Sequence, residues 1–233
     1  MSKKFYITTA IDYTNDVVHI GHSYQKILAD ALARYHRLIG DKTHFLTGTD
    51  EHGQKVEKSA REKGIDPKEF VDKIAGEDKR QWDALNISYD RFIRTTDGDH
   101  VKFAKAFNLK AKANGDIYKA KYDGLYCEGC EGYKEQSELI DGKCEFHPNR
   151  EIQHIEEENY FFALSKYQKF LEDHIESHPE FVWPDSKRTE VLSFIKAGLK
   201  DFSVSRQGLG WGIPVPDDPS HTIYVWFDAL INY

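Results

Sequence analysis

The chain has 233 residues, of which 30% are charged and 39% hydrophobic, and its net charge is −7. This length suits one large domain or two small ones, and it is enough to bury a sizeable core. An aromatic fraction of 13% excludes a disordered chain, and the acidic balance excludes an extended basic surface for nucleic acid, though not a local basic site. Because no apolar run approaches the ~20 residues of a membrane helix and no secretory signal opens the chain, we expect a soluble, cytoplasmic protein.

The first half of the chain alternates strand and helix patterns. The β-branched and aromatic run at 5–9 predicts a buried strand, and a loop follows over 10–18. A helix is then predicted up to Gly40, with a buried apolar face whose members recur every three or four positions. This face comprises Tyr24, Ile27, Leu28, Ala31, Leu32, Tyr35, Leu38 and Ile39. The further elements predicted here are a strand at 43–47 and helices at 53–63, 66–85 and 99–113. Such alternation indicates a parallel sheet with crossover helices.

From Ile117 the pattern changes to short strands and turns. Asp123-Gly124 and Asp141-Gly142 predict tight turns. Helices are predicted at 166–177 and 186–198, and strands at 202–205 and 223–227. The last residues, 231–233, lie within an apolar pattern, so we expect the chain to be part of a longer protein.

The segment His19-Ile20-Gly21-His22 lies between the first strand and the amphipathic helix. Free N–H groups at a helix N-terminus bind phosphate, and two histidines three residues apart face the same ligand. Gly21 has no Cβ, so a flat ring such as adenine can approach the backbone closely. The segment therefore predicts a site for a nucleoside triphosphate whose α-phosphate is attacked. Two histidines that merely cap the helix are the alternative.

All three cysteines of the chain lie in one short window. Cys127 and Cys130 form a C-x₂-C pair, and Cys144 and His147 follow with the same internal spacing. Two such pairs on turns supply four ligands at tetrahedral reach, which suits a closed, structural Zn²⁺ site. A redox-active pair of Cys127 and Cys130, with Cys144 unrelated, is the alternative.

Two further features are ambiguous from their residues alone. Asp50 follows the second strand, at the edge where parallel sheets bind ligands, and it predicts either an ion pair with an α-ammonium or a helix cap. The run at 226–230, together with Tyr233, either walls a small hydrophobic pocket or packs in the core.

Together these segments resemble the class I aminoacyl-tRNA synthetases, and among them the methionyl-tRNA synthetase family. The resemblance spans the chain through the segments 8–13, 19–22, 45–53, the cysteine–histidine knuckle, 158–162 and 224–229. It implies a Rossmann-type α/β catalytic domain, of the HIGH-type nucleotidylyl transferases, interrupted by a connective-peptide insertion with the zinc knuckle. We therefore expect the first part of the catalytic domain at 1–116, the insertion at 117–220 and the start of the second part at 221–233.

The resemblance also implies an activity and its residues. The family activates methionine with ATP to methionyl-adenylate and transfers it to tRNA(Met), with Mg²⁺ accompanying ATP and Zn²⁺ serving a structural role. His19 and His22 would contact the ATP phosphates as catalytic residues, Gly21 would lie under adenine, and Asp50 would bind the methionine ammonium. The other residues implied to surround methionine are Ala10, Ile11, Tyr13, Arg206, Trp226, Ala229, Leu230 and Tyr233.

Two features depart from the family pattern. Asp12 stands where a proline or an aromatic residue is expected, which puts the conformation of this loop in question. The lysine-serine loop written KMSKS and the anticodon-binding helices are absent and are expected beyond Tyr233. We therefore expect these residues to fold but to activate methionine poorly.

Three other functions fit part of the sequence. A different H-x-G-H adenylyltransferase would share the phosphate site but would not need the knuckle. Another class I synthetase is a second alternative, although the branched-chain enzymes carry a longer insertion and the cysteinyl enzyme holds its metal in the substrate pocket. A non-catalytic zinc-ribbon module would explain the knuckle but not the strand–HIGH–helix unit.

Overall fold

A computed structural model describes residues 2–233, and its first half is built around a small parallel sheet. The elements of this half are β1 (Lys4–Thr8), β2 (Asp12–Tyr13), α1 (Ile20–Leu38), β3 (Lys42–Asp50), α2 (Gln54–Glu62), α3 (Pro67–Ala84), β4 (Arg91–Arg94) and α4 (Gly98–Ala113). The central strand β3 pairs in parallel with β1, β2 and β4. Its last six residues are all buried, as expected for a strand covered on both faces. The strand β4 was not among the predicted elements.

The helix α1 packs on the sheet by a face other than the predicted one. Its buried residues are Lys26, Ala29, Asp30 and Ala33. The large apolar residues of the predicted face are exposed, from 44% at Leu32 to 85% at Leu38, so that prediction is wrong. Small alanines let the helix lie close to the sheet, and the two buried charges find partners there.

The second half contains three antiparallel sheets and three α-helices. Its elements are β5 (Ile117–Cys127), β6 (Gly132–Lys134), β7 (Leu139–Ile140), β8 (Lys143–Cys144), β9 (Ile152–Phe162), α5 (Gln168–Ser177), α6 (Asp185–Lys196), β10 (Phe202–Ser203), β11 (Ser205–Gln207), β12 (Pro214–Val215), β13 (Asp218–Ile223) and α7 (Val225–Leu230). The main sheet has the order β10-β9-β5-β6, while β7 pairs with β8 and β13 lies between β11 and β12.

The two predicted turns of this half have different outcomes. Asp123-Gly124 lies inside β5, which pairs with β9 over its whole length, so the turn prediction there is wrong. The long partner strand supplies hydrogen bonds that a local turn signal does not anticipate. Asp141-Gly142 does form a turn between β7 and β8, with φ of 51° and 74°.

The prediction of a strand over 223–227 is wrong, because this segment is the end of a strand followed by a helix. Strand β13 ends at Ile223, Tyr224 is extended, and α7 begins at Val225. Buried residues at 225, 228 and 229 follow helical spacing, which a short aromatic run obscures. Phe227 joins a core shared by α4, β5, β12, β13 and α7, so the two halves pack together around α7. Within residues 2–233, no helix is both long and apolar enough to cross a membrane.

Candidate active site and metal centre

The histidine pair lies at the N-terminus of α1 in a reciprocal capping arrangement. His19 Nδ1 accepts a hydrogen bond from Gly21 N–H at 3.1 Å, and His22 Nδ1 accepts one from His19 N–H at 3.1 Å. Because both Nδ1 atoms act as acceptors, each neutral imidazole carries its proton on Nε2. A Cβ on Gly21 would lie 2.9 Å from the His19 ring, so glycine permits this cap. His19 is exposed and His22 is half-buried, which leaves N–H donors available at a positive helix end.

Asp50 ends β3 as a buried carboxylate, and no cationic side chain within residues 2–233 pairs with it. It is 8% exposed, and its Oδ1 has no hydrogen-bond partner among the described residues. Burial raises the pKa of Asp50 well above its usual range, and the neighbouring carboxylates of Asp228, Glu131 and Glu51 add to the rise. A buried group of this kind binds a cation readily, because a cation offsets both the burial and the repulsion.

The loop beside Asp50 carries three of the residues implied for methionine. Tyr13 pairs in register with Asp50, and Tyr233 Oη lies 3.3 Å from the Ile11 backbone nitrogen, which donates to it. Ala10 is exposed at the start of the same loop. The structure therefore brings Ala10, Ile11, Tyr13, Asp50 and Tyr233 to the carboxyl end of the parallel sheet.

Glu131, which follows the second cysteine, reaches into this region. Its carboxylate accepts hydrogen bonds from the Tyr13 hydroxyl at 3.0 Å and from the Lys55 N–H at 2.9 Å. Its carbonyl oxygen accepts one from the Tyr224 hydroxyl at 2.6 Å. Glu131 is 4% exposed and has φ of 51°, a left-handed conformation that persists in a non-glycine residue only when its surroundings hold it.

Arg206 lies behind Glu131. One of its nitrogens is 3.5 Å from the Glu131 carbonyl oxygen, another donates to Ser203 Oγ at 2.8 Å, and the guanidinium lies 4.2 Å from the Tyr224 ring. The side chain is buried, and its Nε has no partner among the described residues. Arg206 is thus connected to the Tyr13 loop through Glu131.

The helix α7 is fixed by a buried carboxylate between two histidines. The Asp228 carboxylate accepts hydrogen bonds from His52 Nδ1–H at 2.7 Å and from His100 Nε2–H at 2.6 Å. Although burial raises the pKa of Asp228, these two imidazoles outweigh it and the net pKa is lowered. Of the residues implied for methionine on this helix, Ala229 is buried, whereas Trp226 and Leu230 are 57% and 60% exposed.

The four knuckle residues converge at a candidate metal centre. The ligand atoms of Cys127, Cys130, Cys144 and His147 all lie within 4.8 Å of one another. Cys130 Sγ is 3.5 Å from Cys144 Sγ and 3.3 Å from His147 Nδ1, near the ~3.8 Å expected between ligands of a tetrahedral Zn²⁺ with ~2.3 Å bonds. A Cβ on Gly129 would lie 2.3 Å from the His147 ring, so glycine allows that ring to close the group.

Sequence reasoning missed Glu131, His100 and Lys26, which contact the predicted residues without belonging to a recognised pattern. Glu131 directly follows Cys130, and Lys26 lies four residues after His22 on α1. Spacing alone signals only Lys26, because residues four apart share a helix face. The positions of Glu131 and His100 depend on how distant segments pack.

The fold is that of the class I tRNA synthetases. The family model described as tRNA synthetases class I (M) matches residues 5–151 and 128–233. The chain belongs to this family.

Individual relatives agree with this assignment. The methionine–tRNA ligases of Caldanaerobacter subterraneus and Thermosynechococcus vestitus are 52% and 51% identical to it over its whole length. The chain spans 36% and 44% of these relatives. The structure of Mycobacterium tuberculosis methionyl-tRNA synthetase in complex with methionyl-adenylate superposes with a TM-score of 0.94 at 43% identity, over 99% of this chain and 46% of that one. The apo form of the same enzyme gives a TM-score of 0.82 at 40% identity.

Proposed function

We propose that the chain is the part of a methionine–tRNA ligase that binds methionine and ATP, forms methionyl-adenylate and contributes to transfer onto tRNA(Met). The observation that carries the proposal is Asp50, a buried carboxylate beside the loop of Ala10, Ile11 and Tyr13, one oxygen of which has no partner within residues 2–233. An α-ammonium is the cation that this position suits, because it is compact and donates three hydrogen bonds.

The residues around Asp50 define an orientation for bound methionine. With its ammonium on Asp50, methionine would lie along Ala10, Ile11 and Tyr13. We assign Trp226, Ala229, Leu230 and Tyr233 to the thioether pocket, as aromatic and apolar groups suit a polarisable sulfur. We place Arg206 in a supporting position, because its contacts reach the loop through Glu131.

The histidine pair would act on the triphosphate. With Nδ1 occupied by backbone N–H groups, His19 and His22 turn Nε2–H donors outward. The carboxylate oxygen of methionine attacks the α-phosphorus of ATP, and the bond to the bridging oxygen breaks to release pyrophosphate. Donors aimed at the phosphoryl oxygens stabilise the charge that develops there. Gly21 leaves room for adenine against the backbone, and Mg²⁺ would enter with ATP.

The knuckle is assigned a structural Zn²⁺. Its donor set, three sulfurs and one imidazole, fits this ion, and all four positions are protein ligands, as in closed sites. The ion would tie the segment that carries Glu131. We also propose the division into 1–116, 117–220 and 221–233, in which the knuckle belongs to the connective-peptide insertion.

Calorimetric and melting measurements on the 233-residue chain test the proposal. Methionine should bind and raise the melting temperature as its concentration rises, whereas valine and cysteine should do neither. Asp50→Asn should abolish the methionine response, and Asp99→Asn, an exposed carboxylate paired with Arg91, should leave it intact. Equal responses to all three amino acids, or a full methionine response in Asp50→Asn, would overturn it.

A further inference from the structure

Lys26 is a buried cation on the helix that carries the histidine pair. Its ammonium lies 2.7 Å from the Ala10 carbonyl oxygen and 2.9 Å from Asp12 Oδ1. The side chains of Lys26 and Asp12 are 0% and 2% exposed. A buried ammonium is costly unless it is paired, and here both partners belong to the loop that carries Ala10, Ile11 and Tyr13.

The other end of the same loop is fixed beside Lys26. Asp78, on α3, accepts a hydrogen bond from the Val18 N–H at 3.2 Å, and Val18 directly precedes His19. Burial lowers the pKa of Lys26, and the charges of Asp12 and Asp78 oppose that change, so both carboxylates act on this one ammonium. The Trp82 ring, 5.6 Å from the ammonium, closes the group. The Lys26 ammonium therefore contacts residues 10 and 12 directly, and the nearby Asp78 carboxylate holds residue 18.

We propose that Lys26 is a positioning residue that fixes the methionine loop at a set distance from His19 and His22. The proposal rests on the function proposed above. It also assigns a role to Asp12, the departure from the family pattern: Asp12 and Lys26 form a matched pair in which the carboxylate needs the ammonium.

The position of the Lys26–Asp12 pair suggests a role in alignment as well as in stability. Lys26 follows His22 by one helical turn, so its ammonium connects the helix of the phosphate site to the loop of the amino-acid site. Attack on the α-phosphorus requires the methionine carboxylate within ~3.5 Å of that atom. A loop that drifts from the helix loses this alignment even when both elements remain folded.

Three variants separate positioning from stability. Lys26→Met removes the ammonium and keeps the apolar stem. Asp12→Asn combined with Lys26→Met also removes the stranded carboxylate, while the Ala10 carbonyl still lacks its donor. Arg34→Met is the matched control, because Arg34 is a cation on the same helix, 2.7 Å from Asp30 and away from the loop. Methionine affinity is measured by calorimetry well below each melting temperature, and the exchange of loop amides is followed by mass spectrometry.

Lys26→Met should lower the melting temperature and speed amide exchange over 10–18. It should also weaken methionine binding about tenfold, as expected if only ~10% of molecules keep the loop in the conformation that binds methionine. The double variant should regain the melting temperature but not the affinity. Arg34→Met should keep the affinity and the loop exchange. A double variant that regains both, or variants that all bind like the parent, would overturn the proposal alone. A parent chain that binds no methionine would overturn the proposed function, and this inference with it.

Discussion

Replacing Asp50 by asparagine should stabilise the chain while it abolishes methionine binding. Asp50 is buried, has an oxygen without a partner and lies near the carboxylates of Glu51, Glu131 and Asp228. A buried group left unsatisfied costs about 1–3 kcal/mol, and more if it is charged. Asparagine removes the charge and gains N–H donors that can face these carboxylates. We therefore expect the free energy of unfolding to rise by about 1–2 kcal/mol, or about 2–8 °C in melting temperature for a chain of this size.

The pH dependence gives this prediction its sign. The pKa of Asp50 is raised in the folded chain, so the folded state holds its proton to higher pH than the unfolded state does. The cost of the carboxylate is therefore absent below its ordinary pKa and grows as the pH rises through the raised value. Consequently the gain in Asp50→Asn should be largest near neutral pH and should shrink as the pH falls toward ~4.

Melting curves of both chains from about pH 4 to 8, with and without methionine, measure these effects. Methionine at a hundred times its dissociation constant should stabilise the parent by about 2.7 kcal/mol at neutral pH and should leave Asp50→Asn unchanged. The exposed Asp99 is the control, since its hydrogen bond with Arg91 lowers the pKa of that carboxyl and asparagine there should bring no gain. A variant that melts below the parent at neutral pH would refute the reasoning.

Three further predictions concern the surroundings of this site. Glu131→Ala should lower the free energy of unfolding in urea by about 1–3 kcal/mol, because the Tyr13 hydroxyl loses its acceptor. Glu131→Gln keeps an acceptor oxygen, so it should lower this free energy by less than half as much. Plasma emission should find one zinc ion per parent chain and none in Cys144→Ser, and zinc retained by the variant would contradict the assigned ligand set. On α1, Leu32→Ala should change the free energy of unfolding by less than about 0.5 kcal/mol, since Leu32 is 44% exposed. Ala33→Leu, at a position with no exposure, should lower it by about 1–3 kcal/mol. Equal effects would mean that the buried face is misassigned.

Sequence patterns were informative wherever a local signal determines a local structure. At the start of the helix predicted over 66–85, Asp66 accepts hydrogen bonds from the N–H groups of Lys68 and Glu69 as an N-cap. Gly40, up to which a helix is predicted, follows the end of α1 with φ of 88°. The knuckle converges as its spacing predicts, since its four ligand atoms lie within 4.8 Å of one another.

The failures share a physical cause. On α1 the large apolar residues are exposed, and the buried face consists of two alanines and two charged residues, so hydrophobic periodicity indicated the helix but not its contact side. At Asp123-Gly124 the pairing of β5 with β9 overrode the turn signal. In both cases packing against a segment distant in sequence determined the local structure, and the local sequence pattern does not identify that segment.

The acidic residues around Asp50 show why this carboxylate, and not a neighbour, is the one suited to a ligand. Glu51 accepts hydrogen bonds from Arg94 at 2.6 and 2.9 Å, Asp228 is held by two histidines, and Glu131 has a hydroxyl and an amide N–H. Each of these three is satisfied by groups within the chain, whereas Asp50 keeps an oxygen without a partner in the described part of the chain. A ligand cation is attracted by all four charges but finds a free acceptor only at Asp50. The same neighbours that destabilise the Asp50 carboxylate would therefore strengthen its proposed binding of an ammonium, so the proposal predicts that stability and affinity are opposed at this residue.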